Sequence, residues 1–293
     1  MHYRRAILGV NVDFGLTLDT LIDHINILFK SKKCHLIATT NPYFIMIAQK
    51  DHEFKDILNS ATFSAPDGTG IIQADDFIEQ SKKSNKNMIS VLITGLRSGF
   101  KKKYRGGIPI TGIELSDKLL ELADKEGYSV FLLGGRRRDK KGHREKDLSY
   151  DMAQHAERLL RHKYKNLNIV GATSQFNRNY EDDDKTIRYI RSCMKKQDIK
   201  EIDLLLVAYG PGYQEKWIVR NSYKIPVKVS VGVGRKFDYV TGTMKEPPIL
   251  YKRLRLEWLY SLVVQPWRFK RIFMSFPLFP LKVLHNVISN DNQ

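Results

Sequence analysis

Residues 202–212 read Ile-Asp-Leu-Leu-Leu-Val-Ala-Tyr-Gly-Pro-Gly, an apolar run that ends in a glycine-rich turn. Such a run predicts a strand over 202–208 that is buried on both faces of a sheet. Further strands, most of them separated by helical patterns, are predicted at 6–12, 36–39, 129–133, 168–171 and 227–233. This alternation predicts an α/β fold with a Rossmann-like, mostly parallel sheet and helices on both faces.

The composition narrows the classes of partner. The chain has 293 residues and a formal net charge of +17. This charge favours polyanionic binding partners such as nucleic acid, anionic lipid or a phosphate-rich substrate. Cys34 and Cys193 are isolated, which predicts free thiols in a reducing compartment. We expect no signal peptide, and no membrane-spanning helix, because no stretch reaches about 18 consecutive apolar residues.

The sequence predicts two regions. Residues 1–244 form the α/β domain, with a basic insert over about 81–105 that contains no acidic residue and is interpreted as a flap; a second basic loop covers 136–149. Residues 245–293 form a C-terminal helical appendage in which basic residues alternate with Trp and Phe. For 267–284 this composition favours a helix lying on anionic lipid, and the alternative is a helix pair docked on the core.

Polar and glycine-rich turns follow several of the predicted strands. Asp67 lies between a proline and a glycine, where it is either a proton acceptor at the mouth of a site or a cap for the next helix. Thr39 and Asn41 end an earlier strand and suit hydrogen bonding to a sugar or base, although Asn-Pro is also a common turn. Ligands of parallel sheets bind at this edge.

Later turns at the same edge suit a nucleotide. Gly134 and Gly135 allow close backbone approach, but the fingerprint G-x-G-x-x-G is absent, so the pair alone is a weak signal. Gly210 opens a turn that leads into Gln214 and Glu215 at a helix start, the expected place for a phosphate or ribose. Glu215 has the alternative role of a first-turn acid favoured by the helix dipole.

No metal site and no nucleic-acid partner are predicted. Residues 182–184 are three aspartates, but they precede a helical pattern, and acids at a helix start need no metal. The basic runs 101–103 and 136–138 lie in no known nucleic-acid module. No nucleophile elbow and no cofactor motif is present.

Taken together in order, these turns resemble the WecG/TagA/CpsF glycosyltransferase family (glycosyltransferase family 26). The resemblance covers about residues 7 to 273. The matching pieces are Thr39-Thr40-Asn41-Pro42, Ala65-Pro66-Asp67-Gly68, Thr111–Leu115, Val130–Gly135, Asn168–Gly171, Gln214–Trp217, Gly232–Gly234 with Phe237-Asp238, Leu256–Tyr260, and Pro266 with Arg268 and Arg271.

The resemblance implies an inverting, metal-independent hexosyltransferase. It would move an N-acetylmannosamine-type residue or related hexose from a UDP-sugar to a sugar on a polyprenyl diphosphate, in bacterial cell-envelope polysaccharide synthesis. It also implies a cytoplasmic enzyme, peripheral on the inner face of the cell membrane and in contact with its anionic surface. Whether the protein forms a homo-oligomer is left open by the resemblance.

The resemblance also assigns roles to residues. Asp67 matches the family's proposed general base, and Arg268 and Arg271 match C-terminal arginines that offset charge on the departing diphosphate. Thr39 and Asn41 match positions that contact the donor sugar, Gln214 and Glu215 match a donor-site motif, and Asp238 matches another position near the nucleotide. With the turn glycines Gly134, Gly135 and Gly210, these are the predicted substrate-binding residues.

The chain departs from the family pattern in several places. Arg235 stands where the pattern has a second glycine after Gly234, and Pro109, Glu246 and Ser261 replace basic residues. Two other function classes remain as alternatives: a non-catalytic basic protein that binds anionic lipid or nucleic acid, and a nucleotide-dependent oxidoreductase, which the absent glycine fingerprint disfavours.

Overall fold

A computed structural model of the chain describes residues 2–83, 104–136, 149–244, 248, 251 and 257–290, with the backbone alone for 83, 257–259, 261 and 290. Contacts divide the chain into two compact units. The first consists of Met1–Leu21, Thr39–Thr111 and Phe269–Gln293, and the second of Ile22–Ala38 and Gly112–Arg268.

The described residues form eight strands and a series of helices. The strands are β1 (Tyr3–Ile7), β2 (Val10–Phe14), β3 (His35–Thr40), β4 (Phe63–Pro66), β5 (Ser129–Gly134), β6 (Asn168–Thr173), β7 (Ile202–Ala208) and β8 (Val227–Gly232). The α-helices are α1 (Leu18–Leu28), α2 (Pro42–Ala48), α3 (His52–Ser60), α4 (Thr69–Lys83), α5 (Gly112–Glu126), α6 (Met152–Lys163), α7 (Asp183–Lys196), α8 (Tyr213–Asn221), α9 (Lys236–Val240), α10 (Glu257–Val264), α11 (Phe269–Phe273) and α12 (Phe279–Asn290).

A six-stranded sheet has the order β4-β3-β8-β7-β5-β6. The pairs β3–β8, β8–β7, β7–β5 and β5–β6 are parallel, with Leu205 of β7 lying between Phe131 of β5 and Ser230 of β8. Every residue of β5 is buried, and in β7 only Asp203 is partly exposed. Strands buried in this way are covered on both faces, so the predicted α/β, Rossmann-like sheet is confirmed.

The N-terminal strand prediction was wrong in one respect. Instead of a single strand over 6–12, β1 and β2 form an antiparallel hairpin in which Ile7 pairs with Val10. The two turn residues, Leu8 and Gly9, have φ values of 49° and 76°. Positive φ at both positions is characteristic of a type I′ hairpin turn, which leucine rarely enters, so the sequence does not signal this turn.

Several other boundaries differ from the prediction. α3 and α9 were not predicted, and residues 81–83 belong to the end of α4 rather than to the basic insert. The rest of that insert up to residue 103, including the apolar stretch 88–94, and positions 137–148 of the second basic loop lie outside the described residues. Just after the described chain resumes, Arg105 contacts Glu79 of α4 at 2.7 Å. The chain therefore comes back to α4, the helix that precedes the insert.

The C-terminal residues of the first unit pack partly against its helices. α12 contacts α2 and α4, and its Phe279 and Val283 are each 2% exposed. Other large apolar side chains of this segment, Phe269, Phe276 and Leu281, are more than half exposed. By length and composition alone, Pro266–Ser289 is long and apolar enough to cross a membrane. This finding differs from the expectation from the sequence, which rests only on uninterrupted runs of apolar residues. Phe276 has extended backbone angles, so the segment is not one continuous helix.

A buried carboxylate joins three parts of the first unit. Asp13 of β2 is 1% exposed and accepts two hydrogen bonds of 2.8 Å from Arg4 of β1. It also accepts hydrogen bonds from the Ser64 N–H of β4, at 2.7 Å, and from His2 Nε2, at 3.1 Å. Burial opposes ionisation of Asp13, but the hydrogen bonds and the Arg4 charge outweigh it and hold its pKa below the usual range.

Asp13→Asn is expected to destabilise the fold by about 2 kcal/mol or more, because Arg4 and the Ser64 N–H lose a buried anionic acceptor. A lowered pKa contributes stability above the pKa of the unfolded chain, and this contribution is lost as the pH falls through the folded-state value. Urea denaturation at pH 7 and at pH 3 measures both effects. Asp56→Asn, on the exposed face of α3, is the control. An unchanged denaturation midpoint for Asp13→Asn contradicts this account.

Candidate functional site

In the first unit, one backbone hydrogen bond brings two of the predicted site segments together. The Asp67 N–H donates to the Thr40 carbonyl oxygen at 2.9 Å, so the ends of β3 and β4 lie side by side. Beneath this bond the Thr40 and Ser64 hydroxyls are buried and 2.7 Å apart. The two strand ends therefore form one edge that carries Thr39, Asn41 and Asp67.

The side chains on this edge differ in exposure. Thr39 is 5% exposed, whereas Asn41 and Asp67 are half-buried. Asn41 Oδ1 accepts a hydrogen bond of 3.1 Å from the Phe44 N–H and so caps α2, whose first residue is Pro42. The cap fixes the χ angles of Asn41 and leaves its amide nitrogen to bind other groups.

The turn that carries Asp67 is held on its other sides as well. The Pro66 carbonyl accepts from the Ile110 N–H at 2.8 Å, and Gly68 has φ 93°, a conformation that favours glycine. A Cβ atom on Gly68 would meet nothing within 4 Å, so the turn borders open space. The Asp67 carboxylate is thus placed at the start of α4 on a fixed backbone.

Arg271 of α11 also belongs to this unit. Its guanidinium carbon lies 5.2 Å from the ring centroid of Tyr43, the residue two positions after Asn41. A cation over an aromatic face is attracted by the ring and held in place by it. The structure therefore brings one of the two arginines predicted from the resemblance next to the α2 end of this edge.

In the second unit, Gln214 and Glu215 at the start of α8 are buried, at 2% and 1% exposure. Gln214 Oε1 accepts from the N–H groups of Gly210 and Gly234, at 3.2 and 3.1 Å. Its Nε2 donates to Glu215 Oε1 at 2.7 Å, and Glu215 Oε2 accepts from the Gly212 N–H at 2.9 Å. The pair therefore ties together the turns after β7 and β8.

Gly232 has no room for a side chain because of this pair. A Cβ atom there would lie 2.3 Å from Gln214 Nε2 and 2.5 Å from Glu215 Oε1. The amide and the carboxylate thus pack directly over the end of β8. Their assignment as donor-contacting residues stays a prediction, and what the structure assigns to them is the support of the two turns.

The double glycine after β5 is explained by local packing. Gly134 and Gly135 have φ values of 87° and 83°, and the Gly135 N–H donates to the Ala208 carbonyl at 3.1 Å. A Cβ on Gly134 would lie 2.8 Å from the Tyr209 ring, and one on Gly135 would lie 3.0 Å from the Phe237 ring. Both glycines are required by conformation and space, whether or not a diphosphate approaches them.

Two arginines of the second unit meet at one amide oxygen. Arg235 Nη1 donates to Gln265 Oε1 at 2.5 Å, and Arg268 Nη1 donates to the same oxygen at 3.4 Å. Arg235 follows the turn after β8 and directly precedes the short helix α9, which contains Asp238, another predicted donor residue. Sequence reasoning missed Gln265, and the only signal for Arg235 was a cation directly after Gly234.

A second arginine of this unit was also missed. The Arg178 guanidinium carbon lies 3.2 Å from the ring centroid of Tyr213, and its Nη1 donates to the Tyr209 carbonyl at 3.2 Å. Arg178 therefore lies against the turn that contains Gly210. Thirty-five positions separate it from Tyr213, and no periodic pattern links them.

The triple aspartate is placed as the sequence indicated. Asp183 and Asp184 lie in the first turn of α7, and Asp183 forms two hydrogen bonds, of 2.6 and 2.8 Å, with Arg220. Within the described ranges, no group of three or more His, Cys, Asp or Glu side chains suited to a metal ion is found.

The predicted site residues are divided between the two units. Thr39, Asn41, Asp67 and Arg271 belong to the first unit; Gly134, Gly135, Gly210, Gln214, Glu215, Asp238 and Arg268 belong to the second. Within the first unit, the three residues at the ends of β3 and β4 share an edge. Within the second, the turns after β5, β7 and β8 are joined by hydrogen bonds through Ala208 and Gln214.

Known proteins resemble this chain over nearly its whole length. The model of the family described as "Glycosyl transferase WecG/TagA/CpsF family" matches residues 5–105 and 103–293. An N-acetylglucosaminyldiphosphoundecaprenol N-acetyl-beta-D-mannosaminyltransferase of Bacillus subtilis (strain 168) is 29% identical over 250 residues, 85% of this chain and 78% of that protein. Proteins of the same name from Staphylococcus aureus strains MRSA252 and NCTC 8325 are each 24% identical over 280 residues, 94% of this chain and 91% of theirs.

The buried carboxyl of Glu215 has an unusual affinity for its proton. Burial raises the pKa of Glu215 from 4.5 to about 7, against the hydrogen bonds from Gln214, its own N–H and Gly212, which lower it. The folded protein therefore keeps this proton at pH values where the unfolded chain releases it. The resulting stability is fully present below about pH 4.5 and is lost as the pH rises to about 7.

Glu215→Gln cannot lose this proton, so the wild type is expected to lose stability relative to the variant between pH 4.5 and 7, by up to about 3 kcal/mol. Thermal unfolding of both proteins across this range gives the difference at each pH. Glu181→Gln, an exposed acid of the same charge, controls for net charge. A wild-type minus variant difference that stays constant with pH contradicts the burial argument.

Proposed function

The chain belongs to the WecG/TagA/CpsF family of glycosyl transferases, and from this membership we propose that it transfers a hexose from a UDP-sugar to a sugar carried on a polyprenyl diphosphate. The hexose is an N-acetylmannosamine-type residue or a related sugar, in line with the names of the Bacillus and Staphylococcus relatives. The product enters cell-envelope polysaccharide, the reaction inverts the anomeric centre, and it needs no divalent metal.

The observation that carries this proposal is the edge formed by β3 and β4. The hydrogen bond from the Asp67 N–H to the Thr40 carbonyl holds the backbone of Asp67 against the strand end that leads to Asn41, and the turn borders open space. A half-buried carboxylate at this turn suits a general base, which must come within hydrogen-bond reach of the proton that it removes. The amide of Asn41, on the same edge, suits the hydroxyl and acetamido groups of a sugar.

In the proposed reaction, Asp67 takes the proton of the acceptor hydroxyl as that oxygen forms a bond to C1 of the donor sugar. The bond between C1 and the diphosphate oxygen breaks on the opposite face, and UDP leaves with the electron pair. Without a metal, arginine side chains must offset the charge that develops on the diphosphate, and guanidinium groups suit phosphate oxygens. We assign this role to Arg268 and Arg271.

The enzyme is proposed to work as a peripheral protein on the cytoplasmic face of the cell membrane, where its lipid-linked acceptor lies. Phe269, Phe276 and Leu281 are exposed in a segment that also carries Lys270, Arg271 and Lys282. Aromatic and basic side chains together favour the interface of an anionic membrane. The extended backbone at Phe276 favours an interfacial position over a spanning one, because lipid cannot hydrogen-bond to an interrupted helix.

The alternative from another class is a non-catalytic basic protein that holds anionic lipid or nucleic acid. The net charge of +17 is compatible with both the enzyme and the binding protein. Only the enzyme turns over a sugar nucleotide, so transfer of radiolabelled sugar separates the two.

Asp67→Asn is expected to reduce transfer about a hundredfold or more and to leave UDP binding nearly intact, because the amide cannot accept the proton. The measurement is transfer of labelled N-acetylmannosamine from UDP to a short-chain lipid diphosphate that carries N-acetylglucosamine, in buffer with EDTA. Asp19→Asn, an exposed acid in the first turn of α1, is the matched control.

Two results would contradict these assignments. An active Asp67→Asn enzyme removes Asp67 as the base. Transfer that stops in EDTA and returns with added magnesium removes the metal-independent mechanism.

The membrane assignment predicts that replacing Phe269 and Phe276 together by serine lowers binding to anionic vesicles about tenfold or more, because two exposed apolar side chains no longer enter the interface. Sedimentation with vesicles of mixed phosphatidylglycerol and phosphatidylcholine measures it. Ile27→Ser, which changes an equally exposed apolar side chain elsewhere, is the control. Equal sedimentation of all three proteins refutes this assignment.

A further inference from the structure

Arg235 stands directly after the turn that ends β8, and its side chain meets that of Arg268. Their Nη1 atoms contact the same oxygen, Gln265 Oε1, at 2.5 and 3.4 Å. Because they share one acceptor, the two nitrogen atoms lie at most about 6 Å apart, close enough for the two positive charges to repel each other.

Gln265 is oriented so that its oxygen faces both arginines. Its Nε2 contacts Met244 Sδ at 3.7 Å, which leaves Oε1 for the guanidinium groups. Residues 235, 265 and 268 are all half-buried, and the arginines are therefore both constrained and within reach of solvent. An arrangement that brings two guanidinium groups together is suited to an anion with several oxygen atoms.

The backbone that carries Arg235 is held at the carboxyl edge of the sheet. The Gly234 N–H donates to Gln214 Oε1, which also accepts from the Gly210 N–H, so the turns after β8 and β7 are joined. A Cβ atom on Gly234 would meet nothing within 4 Å, which leaves room beside this turn. Phosphates of nucleotides bind at this edge in parallel sheets.

We propose that Arg235 binds the diphosphate of the nucleoside-diphosphate donor together with Arg268, and that Gln265 sets the spacing of the two guanidinium groups. The proposal rests on the proposed function above for the identity of the ligand. It adds a binding residue at a position where this chain departs from the family pattern. The geometry of the three side chains within the second unit carries it.

The first test measures binding of UDP, UMP and inorganic pyrophosphate to the full chain by titration calorimetry. Arg235→Gln is expected to weaken UDP and pyrophosphate about tenfold and UMP much less, because the lost guanidinium contacts the diphosphate. Arg235→Lys is expected to recover part of the loss, since the charge remains and the planar fork does not. Arg188→Gln, an exposed arginine on α7, removes the same charge elsewhere.

The outcomes separate this proposal from the proposed function. If the wild type binds UDP and the Arg235 and Arg188 variants bind it equally well, Arg235 has no part in the diphosphate site. If pyrophosphate binding depends on Arg235 but no sugar is transferred, the anion site stands and the glycosyltransferase function fails. If the wild type binds neither UDP nor pyrophosphate, the diphosphate site is refuted. Melting temperatures within a few degrees of the wild type establish that the variants are folded.

A second test distinguishes the two sources of a diphosphate. In the transfer assay, Arg235→Gln is expected to raise KM for the UDP-sugar about tenfold and to leave KM for the lipid-linked acceptor unchanged. Gln265→Leu is expected to show a smaller increase in the same constant, because the arginines remain but lose their common acceptor. A rise confined to the acceptor KM overturns the assignment to the nucleotide.

Discussion

A buried amide and a buried carboxylate organise the second unit. Gln214 and Glu215 leave water completely and replace it with hydrogen bonds to Gly210, Gly212 and Gly234. Unsatisfied, these groups would each cost several kcal/mol, so the turns after β7 and β8 must keep the positions that satisfy them. The glycine at 232 follows from the same constraint, because any side chain there would displace the pair.

This constraint also positions the segments that carry or contact two arginines of the second unit. The turn after β8 leads directly to Arg235, and the turn after β7 leads to Tyr213, on which Arg178 stacks. Gln214 and Glu215 thus hold the two turns beside which Arg235 and Arg178 lie. The structure shows them as supports of these turns, and their contact with the donor, which the resemblance implies, stays a prediction.

In the first unit, the strand ends are held in place mainly by a backbone hydrogen bond and not by buried side chains that bridge the turns. The hydrogen bond between Asp67 N–H and the Thr40 carbonyl aligns two strand ends, and the buried Asp13 carboxylate holds β4 from the other side through the Ser64 N–H. Asp67 thus has a fixed backbone and a half-buried side chain, as the proposed general base requires. Asp13, by contrast, is fully buried and its carboxylate serves the fold.

The sequence by itself determined the alternation of strands and helices, the edge at which turns rich in glycine and polar residues collect, and the resemblance to a glycosyltransferase family. These features follow from local apolar periodicity and from short motifs, and the bounds of β7 and the core of most helices were predicted from them. Only the tertiary structure decided that Leu8 and Gly9 form a hairpin turn, that Gln214 and Glu215 are buried supports, and that Arg235 meets Arg268 at Gln265. The physical reason is that these outcomes depend on groups brought together by folding: Arg235 and Gln265 are thirty positions apart, and a contact over that distance leaves no periodic trace in the chain.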